Sequence, residues 1–75
     1  MPKLPRVTAR EVVGALQRAG FEERRSTGGH LILRHTETGR IAVVPSHPGD
    51  LKAGTVHGIL RQAGISAEEF RQYLR

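Results

Sequence analysis

The chain has 75 residues, 37% of them apolar and 25% charged, which suits one small folded domain over residues 1–75 and leaves no material for a second. The absence of cysteine excludes disulfides, thiolate metal sites and cysteine nucleophiles. No apolar run approaches the roughly 20 residues that cross a bilayer, and the basic start Met1-Pro2-Lys3-Leu4-Pro5-Arg6 lacks the apolar core of an export signal. Twelve Lys and Arg against seven Asp and Glu leave a net charge of +5, so composition predicts a cytoplasmic, unexported protein with no membrane partner and a preference for polyanions, nucleic acid first.

Pro2 and Pro5 discourage helix at the start, and Thr8-Ala9-Arg10-Glu11 then has the spacing of a capping box, so a helix is predicted from about Ala9. Val12, Val13, Leu16 and Ala19 form its apolar stripe, and Arg10, Gln17 and Arg18 are left to solvent. Gly20 supplies the stop, and Val7 is placed to staple the first turn. Phe21 to Ser26 contains one apolar residue and four consecutive charges, Glu22 to Arg25, and reads as an edge strand whose charges block pairing with other chains.

Gly28-Gly29 can take positive φ and bring backbone close to a partner. They lead into the strand His30-Leu31-Ile32-Leu33-Arg34-His35. Thr36-Glu37-Thr38-Gly39 reads as the turn of a hairpin to Arg40-Ile41-Ala42-Val43-Val44-Pro45, and Pro45 closes that strand. Ser46 to Asp50 is a loop. Thr55 is the expected N-cap of a short helix, Val56 to Ala63, with Ile59 and Leu60 inward and Gly64 as its end. Ser66-Ala67-Glu68-Glu69 is a second capping box, and Phe70, Tyr73 and Leu74 give the apolar face of a last helix that runs off the C-terminus. The order α-β-β-β-α-α predicts an α+β fold: a three-stranded antiparallel sheet with helices on the face that carries Leu31 and Leu33, and the other face open.

Alternation puts His30, Ile32 and Arg34 on that open face. An imidazole accepts and returns protons near neutrality, and RNA cleavage needs such a group to activate a ribose 2′-hydroxyl, so His30 is the candidate catalytic residue. Arg34, two positions along the same face, and the amides of Gly28 and Gly29 are the candidate donors to phosphate. The bland alternative is a structural histidine beside a tight turn. His30, His35, His47 and His57 lack paired ligand spacing and no carboxylate completes a set, so no metal or other cofactor is expected. The alternation turns His35 to the leucine side as a cap of the strand end, His47 is expected to shape its loop, and His57 to be solvated. With Phe21, Phe70 and Tyr73 as the whole aromatic complement, RNA contacts should run through phosphate and ribose rather than base stacking.

Thr27-Gly28-Gly29-His30-Leu31-Ile32-Leu33-Arg34-His35 resembles the HicA-type toxins, the messenger-RNA interferases of bacterial toxin and antitoxin pairs. The likeness extends from Lys3-Leu4-Pro5-Arg6-Val7 through Ala19-Gly20-Phe21, Val44-Pro45-Ser46-His47-Pro48-Gly49 and Leu51-Lys52-Ala53-Gly54-Thr55 to the stretch Ile59 to Ser66. The resemblance implies a fold like that of double-stranded RNA-binding domains, a metal-independent ribonuclease whose essential histidine is His30, and a HicB-type antitoxin that covers the active surface. Members often read Gly-Ser-His with a second His following, where this chain has Gly29 before His30 and Leu31 after it. Arg34 matches a commonly basic position, and Lys52 and Arg61 are candidate grips on phosphate. Two other readings compete with catalysis: a non-catalytic RNA-binding module, and an interaction module whose open face and edge strand recruit a protein.

Overall fold

The computed structural model describes residues 4–74, so the expectations for Pro2 and Lys3 lie outside the described residues. Helix α1 (Ala9–Arg18) opens on the predicted capping box, with the Thr8 hydroxyl accepting from the Glu11 amide and the Glu11 carboxylate accepting from the Thr8 amide. Val7 and Val12 are both buried, as a hydrophobic staple requires. The chain leaves the helix through Ala19 and Gly20, whose φ of +108° is a backbone that glycine adopts without steric cost.

Three strands follow: β1 (Phe21–Thr27), β2 (His30–His35) and β3 (Ile41–Pro45), in the order β1-β2-β3, antiparallel throughout. The charged segment after Phe21 is an edge strand, as its composition predicts, and runs one residue further, to Thr27. It carries a β-bulge at Arg24: Glu23 lies opposite Leu33 and Arg25 opposite Ile32. Arg40 lies just outside β3, and its side chain reaches the end of the next helix, where Nη1 donates to the Gln62 carbonyl at 3.2 Å.

Helix α2 (Ala53–Ala63) departs from expectation. It starts two residues before Thr55, with Lys52 as an N-cap that makes no side-chain capping bond, so Thr55 lies inside the first turn. Burial of Leu51, Val56, Ile59, Leu60 and Ala63 sets this start, and tertiary packing outweighs the local preference for a hydroxyl cap. Gly64 ends the helix in the left-handed conformation. Helix α3 (Ala67–Tyr73) begins on the predicted capping box of Ser66 and Glu69; it ends at Tyr73, capped by Leu74, instead of running to the C-terminus. Its Phe70 is buried, and the Arg18 guanidinium donates through Nε to the Tyr73 carbonyl, joining the ends of α1 and α3.

The core is a single layer between the helices and one sheet face, built around Val12 and Leu16 of α1, Leu33, Ala42 and Val44 of the sheet, Val56 and Leu60 of α2 and Phe70 of α3. Leu33 is fully buried and Leu31 packs partly against this layer, so the helix-covered face is the one that carries both leucines. A bridge between Thr8 and Asp50, with the Leu51 amide donating to the Val7 carbonyl at 2.8 Å, clips the loop before α2 to the entry of α1. No described helix is long and apolar enough to cross a membrane.

Candidate functional site

Residues directly opposite in an antiparallel pair share a face, so the register sorts the open surface into rows. Glu22, Arg34 and Ile41 form the first row, Arg25, Ile32 and Val43 the second, and Thr27, His30 and Pro45 the third. His30 is therefore on the open face, as alternation predicts. It sits at the first position of β2, next to the two-residue turn Gly28-Gly29 that makes Thr27 its cross-strand neighbour. The Thr27 hydroxyl thus stands on the same face, directly across the hairpin from His30.

The turn glycines differ from expectation. Neither Gly28 nor Gly29 has a positive φ, and a Cβ built on either would meet nothing within 4 Å. Conformation and packing both leave room for a side chain at these positions. What the glycines do is leave backbone uncovered beside His30. The Gly29 carbonyl is engaged, accepting from the Ser46 amide at 2.7 Å, which ties the loop after β3 to the same turn.

Helix α2 lies along the edge of β3 and borders the open face there. A cleft of about 300 Å³ separates them, with His30, Val43 and Pro45 on the sheet side and Gly54, Thr55, Gly58 and Gln62 on the helix side. That size is at the lower end of the roughly 300–1,000 Å³ of small-ligand pockets, so it admits one small unit of a longer molecule. Gly54 in the first turn and Gly58 in the middle of the helix both have open space where a Cβ would stand, and Gly58 costs about 0.5–1 kcal/mol relative to alanine. His30 is exposed, and among the described residues no side chain or backbone group is hydrogen-bonded to its ring. Among the described residues that line the cleft it is the sole imidazole.

The other sequence-selected residues are dispersed. Arg34 shares the face but stands four residues along β2 from His30, about 13 Å at the usual strand rise. Its guanidinium folds over the far turn, where a Cβ on Gly39 would lie 3.3 Å from Arg34 Nη2. Arg34 is thus not beside the base. Lys52 and Arg61 are both exposed, at the start and in the last turn of α2, and neither borders the cleft. The sheet arginine nearest His30 is Arg25, one row away on the diagonal, a separation of about 7–8 Å in such sheets. Plain alternation from the buried Phe21 would turn Arg25 toward the helices, and the bulge at Arg24 reverses it, so no local signal marks it. Thr27 was legible, because a two-residue turn dictates which residues face each other across it.

The remaining histidines have other work. His35 Nε2 donates to the Ala19 carbonyl at 3.2 Å, and its Nδ1 accepts from the Glu37 and Thr38 amides, both at 3.1 Å. Its ring also meets Phe21 edge-on, with centroids 5.1 Å apart, so it caps the strand end on the leucine side as expected. His47 Nδ1 donates to the Pro48 carbonyl at 3.1 Å and shapes its loop, and His57 is exposed on α2. Among the described residues no three His, Cys, Asp or Glu side chains converge as metal ligands.

No curated protein matches the chain closely enough to serve as a relative. A family model described as the HicA toxin of bacterial toxin-antitoxin systems matches residues 9–65, more than half of the chain, from the first residue of α1 to the residue after the C-cap of α2. That span contains every residue of the His30 cleft. A toxin of such a pair has a cognate antitoxin as its partner, and this chain belongs to the HicA toxin family.

Proposed function

We propose that the toxin is a messenger-RNA interferase, an endoribonuclease that works in the cytoplasm without a metal ion, with residues 1–75 acting as one domain. The observation that carries this reading is the position of His30: exposed, with no hydrogen bond to its ring from any described residue, in a cleft with open backbone on one side and a glycine-lined helix on the other. In this reading an RNA strand lies along the open face with one nucleotide in the cleft. Neutral His30 takes the proton of the ribose 2′-hydroxyl, and the 2′-oxygen attacks the adjacent phosphorus. The bond from phosphorus to the 5′-oxygen breaks, and solvent protonates the leaving oxygen. The products are a 2′,3′-cyclic phosphate and a 5′-hydroxyl.

Charge that develops on the phosphoryl oxygens is met by the amides of Gly28 and Gly29 and by Arg25, with Arg34, Lys52 and Arg61 as outlying contacts to the backbone of a longer strand. The antitoxin, of the HicB type, acts by covering this open face. One observation favours a second reading as a non-catalytic RNA-binding module: among the described residues no second acid or base lines the cleft to protonate the leaving group. Incubation of the purified toxin, free of antitoxin, with labelled messenger RNA in excess chelator separates the two. Cleavage that leaves cyclic phosphate ends, lost in His30→Ala, is the expected result. RNA bound but uncut by both proteins would establish the binding module, and 3′-hydroxyl ends would remove His30 from the chemistry.

A further inference from the structure

Gln62 ties the helical wall of the cleft to the sheet. Its Oε1 accepts from the Val43 amide at 3.1 Å, on the side of β3 that no strand covers. Because a backbone N–H is a donor, the amide atom that faces it must be the oxygen, so chemistry fixes which way the carboxamide is turned. The backbone of the same residue is held as well, by Arg40 Nη1 on its carbonyl at 3.2 Å. Nε2 is left with two N–H donors, no described residue accepts from it, and the residue lines the cleft that holds His30. Gly58 and Gly54, one and two turns earlier on the same helix face, present no side chain in front of it.

We infer that Gln62 is a fixed hydrogen-bond donor to the bound strand: its Nε2 takes an acceptor oxygen of the nucleotide seated against His30. The inference rests on the RNA reading above and adds a binding residue on the wall opposite the base. A carboxamide already fixed by Val43 loses little rotamer freedom when it binds, whereas a flexible exposed lysine must be ordered first. Gln62 therefore fixes where the nucleotide sits relative to His30, and the basic residues hold the strand as a whole.

The test uses the full chain and a mixed-sequence RNA with fluorine in place of every 2′-hydroxyl, which lacks the nucleophile and stays intact. Side-chain amide resonances of Gln62 are followed by NMR during titration, together with the His30 ring. Both should shift. Gln62→Glu keeps an oxygen for the Val43 amide and removes the donors; it should unfold within about 3 °C of the parent and bind the RNA at least about tenfold more weakly. Gln72→Glu, the same charge change at an exposed site on α3, should bind within about twofold of the parent. A Gln62 amide that stays still while His30 responds would overturn the inference and leave the RNA reading standing, as would equal binding by the two glutamate variants. If Gln62→Glu unfolds, the resonances of the parent decide alone. A parent that binds no RNA and shows no shift at His30 defeats both readings together.

Discussion

The two ends of β2 carry the same residue types, a histidine beside a glycine-containing turn, arranged to opposite purposes. At the far end every polar atom of His35 is committed: one ring nitrogen to Ala19, the other to two amides of the turn, with Phe21 against the ring edge. Its glycines are required. Gly39 has a φ of +77°, and a Cβ on Gly20 would come within 2.7 Å of His35 Nε2. At the near end His30 is exposed, and its neighbours Gly28 and Gly29 have neither a left-handed φ nor an atom in the way of a side chain. A histidine whose bonds are all used holds the fold together. One whose bonds are free, next to glycines that the fold does not need, is available to a ligand.

The sharpest way to break this contrast is to remove each ring in turn. His30→Ala should lower RNA cleavage by about 10²–10⁴-fold, the usual worth of a general base, and leave thermal unfolding unchanged. His35→Ala should cost about 2 kcal/mol, on the order of 10 °C in unfolding midpoint, through lost packing and unpaired backbone groups. Its cleavage rate per folded molecule should stay near that of the parent. The assignments of the two histidines would have to be exchanged if His30→Ala proved the less stable protein.

A smaller difference is expected between the turns. Gly39→Ala should destabilise by about 1–2 kcal/mol, because an L-residue is strained at that φ. Gly28→Ala should change stability by less than about 0.5 kcal/mol, yet weaken RNA binding by putting a methyl group over the backbone that a phosphate approaches. Binding unchanged in Gly28→Ala would mean that the strand passes elsewhere.

The smallest effect separates two arginines. Arg25→Ala should lower the slope of log affinity against log salt by about 0.7, the value for one phosphate contact on single-stranded RNA, and Arg34→Ala should lower it by less. Equal slopes would place the strand over the whole length of the open face, and a larger loss in Arg34→Ala would place it at the far end.

Much of this architecture could be read from local pattern. Thr8 with Glu11 and Ser66 with Glu69 announce two helix starts, since each satisfies orphan amides within one turn of chain. The alternation of His30 through His35 separates the leucine face from the open one because successive strand side chains must point to opposite sides. The start of α2 was not legible in the same way. Thr55 is the best local cap, yet contacts of Leu51 and Val56 with distant residues draw the helix back to Ala53.

By itself, then, the sequence determined the order of elements, the sheet face that is buried and the face on which His30 stands, because these follow from interactions within a few residues along the chain. Apart from Thr27, which the two-residue turn sets opposite it, tertiary structure alone decided which side chains keep His30 company. The bulge at Arg24 turns Arg25 onto the open face, one row from His30. The docking of α2 on the edge of β3 brings Gln62, Thr55 and two glycines to the cleft from more than twenty residues away. A one-residue slip in register is set between two strands, and the capture of an unpaired strand edge joins segments distant in sequence, so the periodicity of a single segment encodes neither.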